Sequence, residues 1–107
     1  MAKYLIKVSY SAKGIKGVMA EGATSRVDTI RALVASVGGT MESFHFAFGG
    51  TDVYLIVDLP DTATALAFAA VVGSSDSISA YETVVLVDPA DIDAAASISV
   101  GYRPPGA

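Results

Sequence analysis

The chain has 107 residues, of which 52% are hydrophobic and 17% are charged, and its formal net charge is −4. This composition is too apolar for a disordered protein, and it predicts one compact domain over residues 1–107 that buries further surface in an oligomer. The absence of cysteine excludes disulfides and thiolate sites. The acidic balance argues against a nucleic-acid partner.

Charge and hydropathy also bear on location. Residues 1–31 hold six of the seven basic side chains, and nine acidic ones follow residue 31. Either the two halves attract each other across an interface, or they form separately solvated faces. The start, MAKYLIKVSY, lacks the features of a signal peptide, and the longest uncharged run, residues 62–75, is too short to cross a bilayer. We therefore expect a cytoplasmic protein with no membrane contact.

The chain begins with a predicted strand and helix. Alternating apolar residues over 4–10 indicate the strand, and Ser11 is placed to cap a helix that ends near Glu21. Two glycines in this helix, Gly14 and Gly17, allow another backbone to approach closely. The predicted apolar stripe consists of Ile15, Val18 and Met19.

A second helix is predicted next. Ser25 and Asp28 resemble a capping box at its start, and Gly38-Gly39 ends it. Its apolar stripe consists of Val27, Ile30, Leu33, Val34 and Val37.

The stretch from Gly39 to Pro60 predicts a β-hairpin. Its first half alternates phenylalanine with smaller or polar residues, and its second half, DVYLIVDL, is typical of a strand. Gly49-Gly50 favours a two-residue type I′ turn, whereas a three-residue loop would shift the register by one. The two-residue turn predicts the pairs Phe48–Thr51, Phe46–Val53, Phe44–Leu55 and His45–Tyr54. The phenylalanine face is the predicted core, and the other face carries Met41, Ser43, His45, Ala47, Tyr54 and Ile56.

The last part of the chain predicts a helix, a strand and a short helix. Asp61 caps a helix that is apolar nearly all round, so we expect a second cover from the tail or another subunit. The fourth strand lies within residues 78–87, and Asp88-Pro89 starts a helix that ends near residue 97. Its inward side chains are predicted to be Ile92, Ala95, Ala96 and Ile98. The tail, VGYRPPGA, is extended, and we expect Tyr102 and Arg103 to dock on a partner subunit.

The order of these elements predicts an α+β fold. Strands and helices in the order β-α-α-β-β-α-β form a ferredoxin-like, four-stranded antiparallel sheet with helices on one face. The other face is left bare, and it is predicted to show Leu5, Met41, Ala47 and Ile56. Because such an apolar patch marks an interaction site, we expect a homodimer that packs two of these faces together.

Three segments resemble the GYD-domain family, small bacterial proteins of the dimeric α+β barrel superfamily. They are KYLIKVSYSAKG, ESFHFAFGGTDVYLIVDLPD and SVGYRPPGA. The motif that names the family falls at Gly50-Thr51-Asp52, with threonine in place of tyrosine, so no role of that tyrosine carries over. The resemblance implies a dimer built through the sheets but no particular activity. The wider superfamily includes oxygenases, dechlorinating and haem-degrading enzymes and small-molecule binders, and shared fold alone selects none of these.

The candidate ligand site consists of polar residues on the bare face. His45 is the only histidine, so the chain holds no multi-histidine metal site, and we predict no metal or cofactor. With Tyr54, Lys7 and Ser43 it is predicted to line a small polar pocket in an apolar cleft. The alternative is that hydrogen bonds within an interface satisfy the histidine. The resemblance adds Asp52 as a ligand contact, and the alternative is that Asp52 braces the turn.

No motif of a known catalytic centre is present, and we assign no catalytic residue. The leading interpretation is a non-enzymatic homodimer that binds a small apolar ligand or a protein partner at the sheet interface. The first alternative is a cofactor-independent oxygenase or isomerase that uses His45 as general base and Tyr54 as donor. The second is a higher-order ring with a regulatory site between subunits.

Overall fold

A computed structural model of the chain describes all of residues 1–107. Its elements are β1 (Ala2–Tyr10), α1 (Ala12–Glu21), α2 (Ala23–Ser36), β2 (Thr40–Phe46), β3 (Val53–Leu59), α3 (Thr62–Gly73), β4 (Ile78–Leu86) and α4 (Pro89–Ala96). The strands form one sheet in the order β2-β3-β1-β4, with every neighbouring pair antiparallel. The predicted ferredoxin-like α+β arrangement is confirmed.

The hydrophobic core lies between the sheet and the helices α2 and α3. Alternate side chains of β1 and β3 point toward this side, because successive residues of a strand face opposite ways. They pack with Ile30 and Val34 of α2 and with Ala65 and Phe68 of α3 in one buried cluster. The opposite side of the sheet carries no helix from this cluster and is left open.

The predicted register of the hairpin is confirmed, but the predicted turn is wrong. The pairs Phe46–Val53, Phe44–Leu55 and His45–Tyr54 are confirmed. The ladder then stops, and the chain crosses through residues 47–52, a loop closed by a 2.7 Å hydrogen bond from the Ala47 N–H to the Asp52 carbonyl. Neither Gly49 nor Gly50 has the positive φ that a type I′ turn requires. The pair Phe48–Thr51 does not form, and Phe48 is 85% exposed rather than part of the core.

A β-bulge in β2 moves Met41 to the core. Met41 pairs with Val57, but Ser43 pairs with Ile56, so Glu42 is the extra residue between them. Because successive residues face opposite ways, one extra residue places every side chain before it on the opposite face of the sheet from the one that regular alternation predicts. Met41 is therefore buried in the core cluster, and its predicted place on the bare face is wrong.

The N-terminal helices differ in how well the sequence predicted them. The Ser11 hydroxyl accepts the Gly14 N–H at 3.1 Å, as expected for the cap of α1. The predicted capping box at Ser25 is wrong, because α2 follows α1 directly after Gly22 and Ser25 already lies inside it. The stripe of α1 is also narrower than predicted, since Met19 is 76% exposed.

The chain leaves two predicted apolar faces uncovered. The outer side of α3 exposes Leu66 and Val71, and no part of the tail covers it. Every residue from Val87 to Ala107 is exposed, so the predicted inward packing of Ile92 and Ile98 does not occur within the chain. We call residues 89–107, which comprise α4 and the tail, the C-terminal arm. The molecule as a whole is elongated, with extents of 56, 33 and 22 Å along its principal axes.

Candidate functional site

The side of the sheet away from the helices forms one continuous surface, which we call the open face. Its side chains come from all four strands: Lys3, Leu5 and Lys7 of β1, Ser43 and His45 of β2, Tyr54, Ile56 and Asp58 of β3, and Glu82, Val84 and Leu86 of β4. Because strand neighbours stand opposite each other, these side chains form rows that cross the sheet.

One polar row runs across the whole open face. Glu82 stands opposite Lys7, Lys7 opposite Tyr54, and Tyr54 opposite His45. The Lys7 ammonium lies 3.4 Å from the Glu82 carboxylate and 6.0 Å from the centre of the Tyr54 ring. An ammonium group at this distance from an aromatic face is weakly attracted to it. Lys7 is thus held between an acid and a tyrosine.

An apolar row borders this polar row. Val84, Leu5 and Ile56 stand opposite one another, and the row ends at Ser43 in β2. These side chains are half-buried although nothing covers them. They supply the apolar floor that a small-molecule site beside the polar row requires.

A second charged group lies on the far side of the apolar row. Lys3 forms ion pairs with Glu42 at the bulge and with Asp58, whose carboxylate is 3.5 Å away. The hydrogen bond that Lys3 donates to Glu42 raises the pKa of Lys3 above its usual value. Basic residues of the first part of the chain therefore pair with acids of the second part within one molecule.

Four of the predicted site residues lie together. Lys7, Tyr54 and His45 share the polar row, and Ser43 lies two residues from His45 on the same strand and face. His45 is exposed, with its ring available to solvent or a partner. A histidine opposite a tyrosine on neighbouring strands has the spacing for direct side-chain contact with one ligand.

Asp52 lies apart from this group. Its carboxylate accepts the Tyr10 N–H at 2.9 Å, and its own N–H donates to the Val8 carbonyl at 3.0 Å. These two bonds fasten the end of the hairpin loop to the end of β1. The structure therefore gives Asp52 the bracing contacts that were the alternative to ligand binding.

Sequence reasoning missed Glu82 as a member of the row. It is the only acid within β4, ISAYETVVL, and a charged side chain in such a strand is expected on the side that faces away from the core. That Glu82 stands opposite Lys7 follows from the strand order and from the register between β1 and β4, and the sequence pattern specifies neither. No three histidine, aspartate or glutamate side chains converge closely enough to hold a metal ion.

Comparison with known proteins gives one match. The family model described as GYD domain matches residues 4–96 of the 107-residue chain. Searches of curated proteins and of solved structures found no match. None of the helices has the length and apolar character needed to cross a membrane.

Proposed function

The chain belongs to the GYD-domain family, and we propose that it acts as a homodimer that binds a small apolar ligand where two open faces meet. The polar row of Glu82, Lys7, Tyr54 and His45 would contact the ligand's polar group, and the bordering apolar row would contact its body. This combination of a wide apolar lining with a few polar groups is typical of small-molecule sites.

The exposed area of the chain carries this proposal. A monomeric protein of 10.9 kDa exposes about 5,600 Å² by the usual relation between area and mass. This chain exposes 6812 Å². The excess of about 1,200 Å² is larger than the roughly 800 Å² that each partner buries in a standard interface. A second copy of the chain would remove this excess by covering the open face together with the C-terminal arm, in which every residue is exposed.

The charges of the open face suit contact with its own copy. Lys3 and Lys7 lie among Glu42, Asp58 and Glu82, so the open face carries both signs of charge and would not repel an identical face as a surface of one sign would. A twofold interface uses the same patch on both subunits and therefore needs such self-complementarity. The half-buried apolar row between them provides the area that drives association.

The C-terminal arm is the second surface that a partner would cover. The radius of gyration is 17.1 Å, compared with about 13 Å for a compact domain of this length. The tail carries Val100 and Tyr102, both more than two-thirds exposed, beside two prolines that restrict its backbone. We assign the arm to the surface of the partner subunit.

Sedimentation of the full chain tests the assembly. We expect a dimer, and we expect Ile56→Asp to dissociate it because this change places a charge in the middle of the open face. The control is Met19→Asp, which places the same charge at an exposed position of α1 and should leave the dimer intact. A monomeric wild-type chain, or equal effects of the two variants, would overturn the proposal.

Ligand binding needs its own measurement. Nile red, a neutral apolar dye, should bind the dimer saturably and lose its enhanced emission when Ile56→Asp separates the subunits. Emission that survives dissociation would place the dye outside the interface. Lys7→Met and His45→Leu keep side chains of similar size and test whether the polar row contributes to affinity.

The facing pair His45–Tyr54 supports a second candidate function. A histidine able to accept a proton beside a tyrosine able to donate a hydrogen bond is the minimum for a cofactor-independent oxygenase or isomerase. The test is turnover of quinone and aromatic substrates by the wild-type chain and by His45→Ala. Full retention of any turnover by the variant would remove this candidate.

A further inference from the structure

A groove between the helices α2 and α3 opens to solvent. Six of its seven lining residues are hydrophobic, with Leu33 and Val37 at the end of α2 and Ala67 and Val71 on α3. Its volume is about 140 Å³, close to the roughly 150 Å³ of a dry apolar cavity that holds benzene. The pocket between these helices and the sheet measures only about 30 Å³, which is room for a few water molecules. The groove, unlike that pocket, has room for a large apolar side chain.

The single chain leaves the apolar side chains of this groove in water. Val71 is 74% exposed, and Leu33 and Val37 are each more than one-third exposed. Every residue from Val87 to Ala107 is exposed as well, so the chain's own C-terminal arm does not cover the groove. The groove and the tail are thus two apolar surfaces of one chain, and neither has a partner within it.

A matching pair of charges accompanies these two surfaces. Thr64 is the polar residue of the groove lining, and its N–H and hydroxyl donate to the same oxygen of the Asp61 carboxylate, at 2.8 and 2.7 Å. These bonds place an acid at the end of the groove and leave its second oxygen free. Arg103, which follows Tyr102 in the tail, is the only lysine or arginine after residue 31. Neither Asp61 nor Arg103 takes part in an ion pair of the chain.

We propose that this groove binds the tail of a second copy of the chain, with Tyr102 among the apolar side chains and Arg103 paired with Asp61. The inference rests on the proposed dimer, and it names the surface of the partner on which the arm docks. In a twofold dimer each groove takes the tail of the other subunit, so both docking contacts form together. The two prolines that follow Arg103 restrict the backbone of the tail and reduce the entropy that docking costs.

The arm is long enough for this contact. Its helix α4 has eight residues and spans about 12 Å. The extended segment from Ser97 to Tyr102 adds about 20 Å. Together they exceed the smallest extent of the molecule, 22 Å. The tail therefore reaches past the edge of a sheet to the helices of a partner that packs on the open face.

A spin label on the tail tests where it docks. The chain has no cysteine, so a nitroxide on Gly101→Cys labels one place, where an added side chain meets no atom. The labelled copy is mixed with an unlabelled copy enriched in ¹⁵N, so broadened amide signals report contacts between copies. We expect broadening at Ala67 and Val71 and none at Met19. A label on the exposed Ala20→Cys of α1 is the control and should leave the groove signals sharp.

Sedimentation tests the contribution of the groove to assembly. Val71→Asp should raise the dissociation constant of the dimer about tenfold or more, because it places a charge beside the docked ring. Met19→Asp is matched to it in exposure, 76% against 74%, and should have no effect. In the chain that lacks residues 100–107, Val71→Asp should add nothing, because its groove then has no occupant. Equal effects of the two variants, or a full effect of Val71→Asp in the truncated chain, would refute the docking.

The ion pair has a test of its own. Asp61→Asn removes the charge but keeps the cap of α3, because asparagine caps a helix as well as aspartate does. It should weaken the dimer about twofold to fivefold, as should Arg103→Ser, and the double variant should be no weaker than either. Effects that simply add would show that these two residues do not meet.

The outcomes separate the tail site from the open-face dimer on which it rests. A dimer whose groove signals stay sharp in the mixed sample refutes the docking and leaves the open-face interface standing. Broadening that requires the label and ¹⁵N in the same chain also refutes it, because the tail then folds back on its own subunit. If Ile56→Asp still dimerises and Val71→Asp does not, the open-face interface is wrong and the tail site is supported.

Discussion

The Ser77 carbonyl group occupies the space that a β-carbon on Gly14 would need. A methyl group there would overlap the carbonyl oxygen and lie only 2.9 Å from the carbonyl carbon. The same carbonyl accepts the Ser11 N–H at 2.9 Å, and the Ser11 hydroxyl donates to the Asp76 carbonyl at 2.7 Å. The start of α1 is thus fastened to the turn that precedes β4.

Gly14→Ala should therefore destabilise the chain. The new methyl group meets backbone atoms that cannot move without breaking the bonds at Ser11, and such overpacking costs about 1–3 kcal/mol. The measurement is urea unfolding. Gly17→Ala is the matched control, because it lies in the same helix with no atom near the added carbon, and it should stabilise by about 0.5–1 kcal/mol. Equal stability of the two variants would contradict the close packing at Ser77.

Asp52→Ala should lower the free energy of unfolding by about 1–2 kcal/mol. The change removes the carboxylate that accepts the Tyr10 N–H and leaves a half-buried backbone donor without a partner. Asp52→Asn is the control, because its amide oxygen can still accept this bond and should preserve most of the stability. If Asp52→Ala unfolds at the same urea concentration as the wild type, Asp52 does not brace the hairpin loop.

Removal of residues 100–107 should weaken the proposed dimer without changing the fold of the single chain. All of these residues are exposed in the single chain, so circular dichroism should be unchanged. Loss of the Val100 and Tyr102 contacts with a partner should raise the dissociation constant about tenfold or more in sedimentation. Arg103→Ser in the untruncated chain removes the same charge but keeps Val100 and Tyr102, so it should weaken the dimer less than the truncation does. A truncated chain that dimerises as the wild type does would rule out docking of the tail.

The sequence predicted which face of the sheet each hairpin residue occupies better than it predicted the turn of the hairpin. Two-residue periodicity decides which side chains share a face, so His45 and Tyr54 were placed opposite each other correctly. The same periodicity does not show where an extra residue is inserted in a strand, so the bulge at Glu42 and the burial of Met41 were missed. The glycine pair favoured a tight turn, but the structure closes the loop through Ala47 and Asp52 instead.

The candidate sites were predictable to different degrees. Four members of the candidate site on the open face could be named because strands expose every second residue, and Lys7, Ser43, His45 and Tyr54 are polar residues within strands. The cavity between the sheet and the helices α2 and α3 could not be predicted, because its lining residues, Arg26 and Tyr81 among them, are far apart in sequence. A pattern of residues shows which side is apolar, but it does not show where packing leaves a void.

Tyr81→Phe should leave the free energy of unfolding unchanged or raise it by about 1 kcal/mol, since the lost hydroxyl is buried without a partner.

The pH dependence gives a second measurement. Because the pKa of Tyr81 is raised to about 12 from its ordinary value of 10, the native state holds its proton longer than the unfolded state. Ionisation of Tyr81 therefore has no effect on stability below pH 10, and it destabilises the folded state increasingly as the pH rises through 12. Urea unfolding between these pH values should show a steeper decline for the wild type than for Tyr81→Phe. The exposed Tyr102 supplies the control, because Tyr102→Phe should leave the wild-type decline unaltered. Parallel declines of the wild type and Tyr81→Phe would mean that the hydroxyl is not shielded from solvent. A stability loss of several kcal/mol in Tyr81→Phe at neutral pH would mean that the hydroxyl has a partner within the chain.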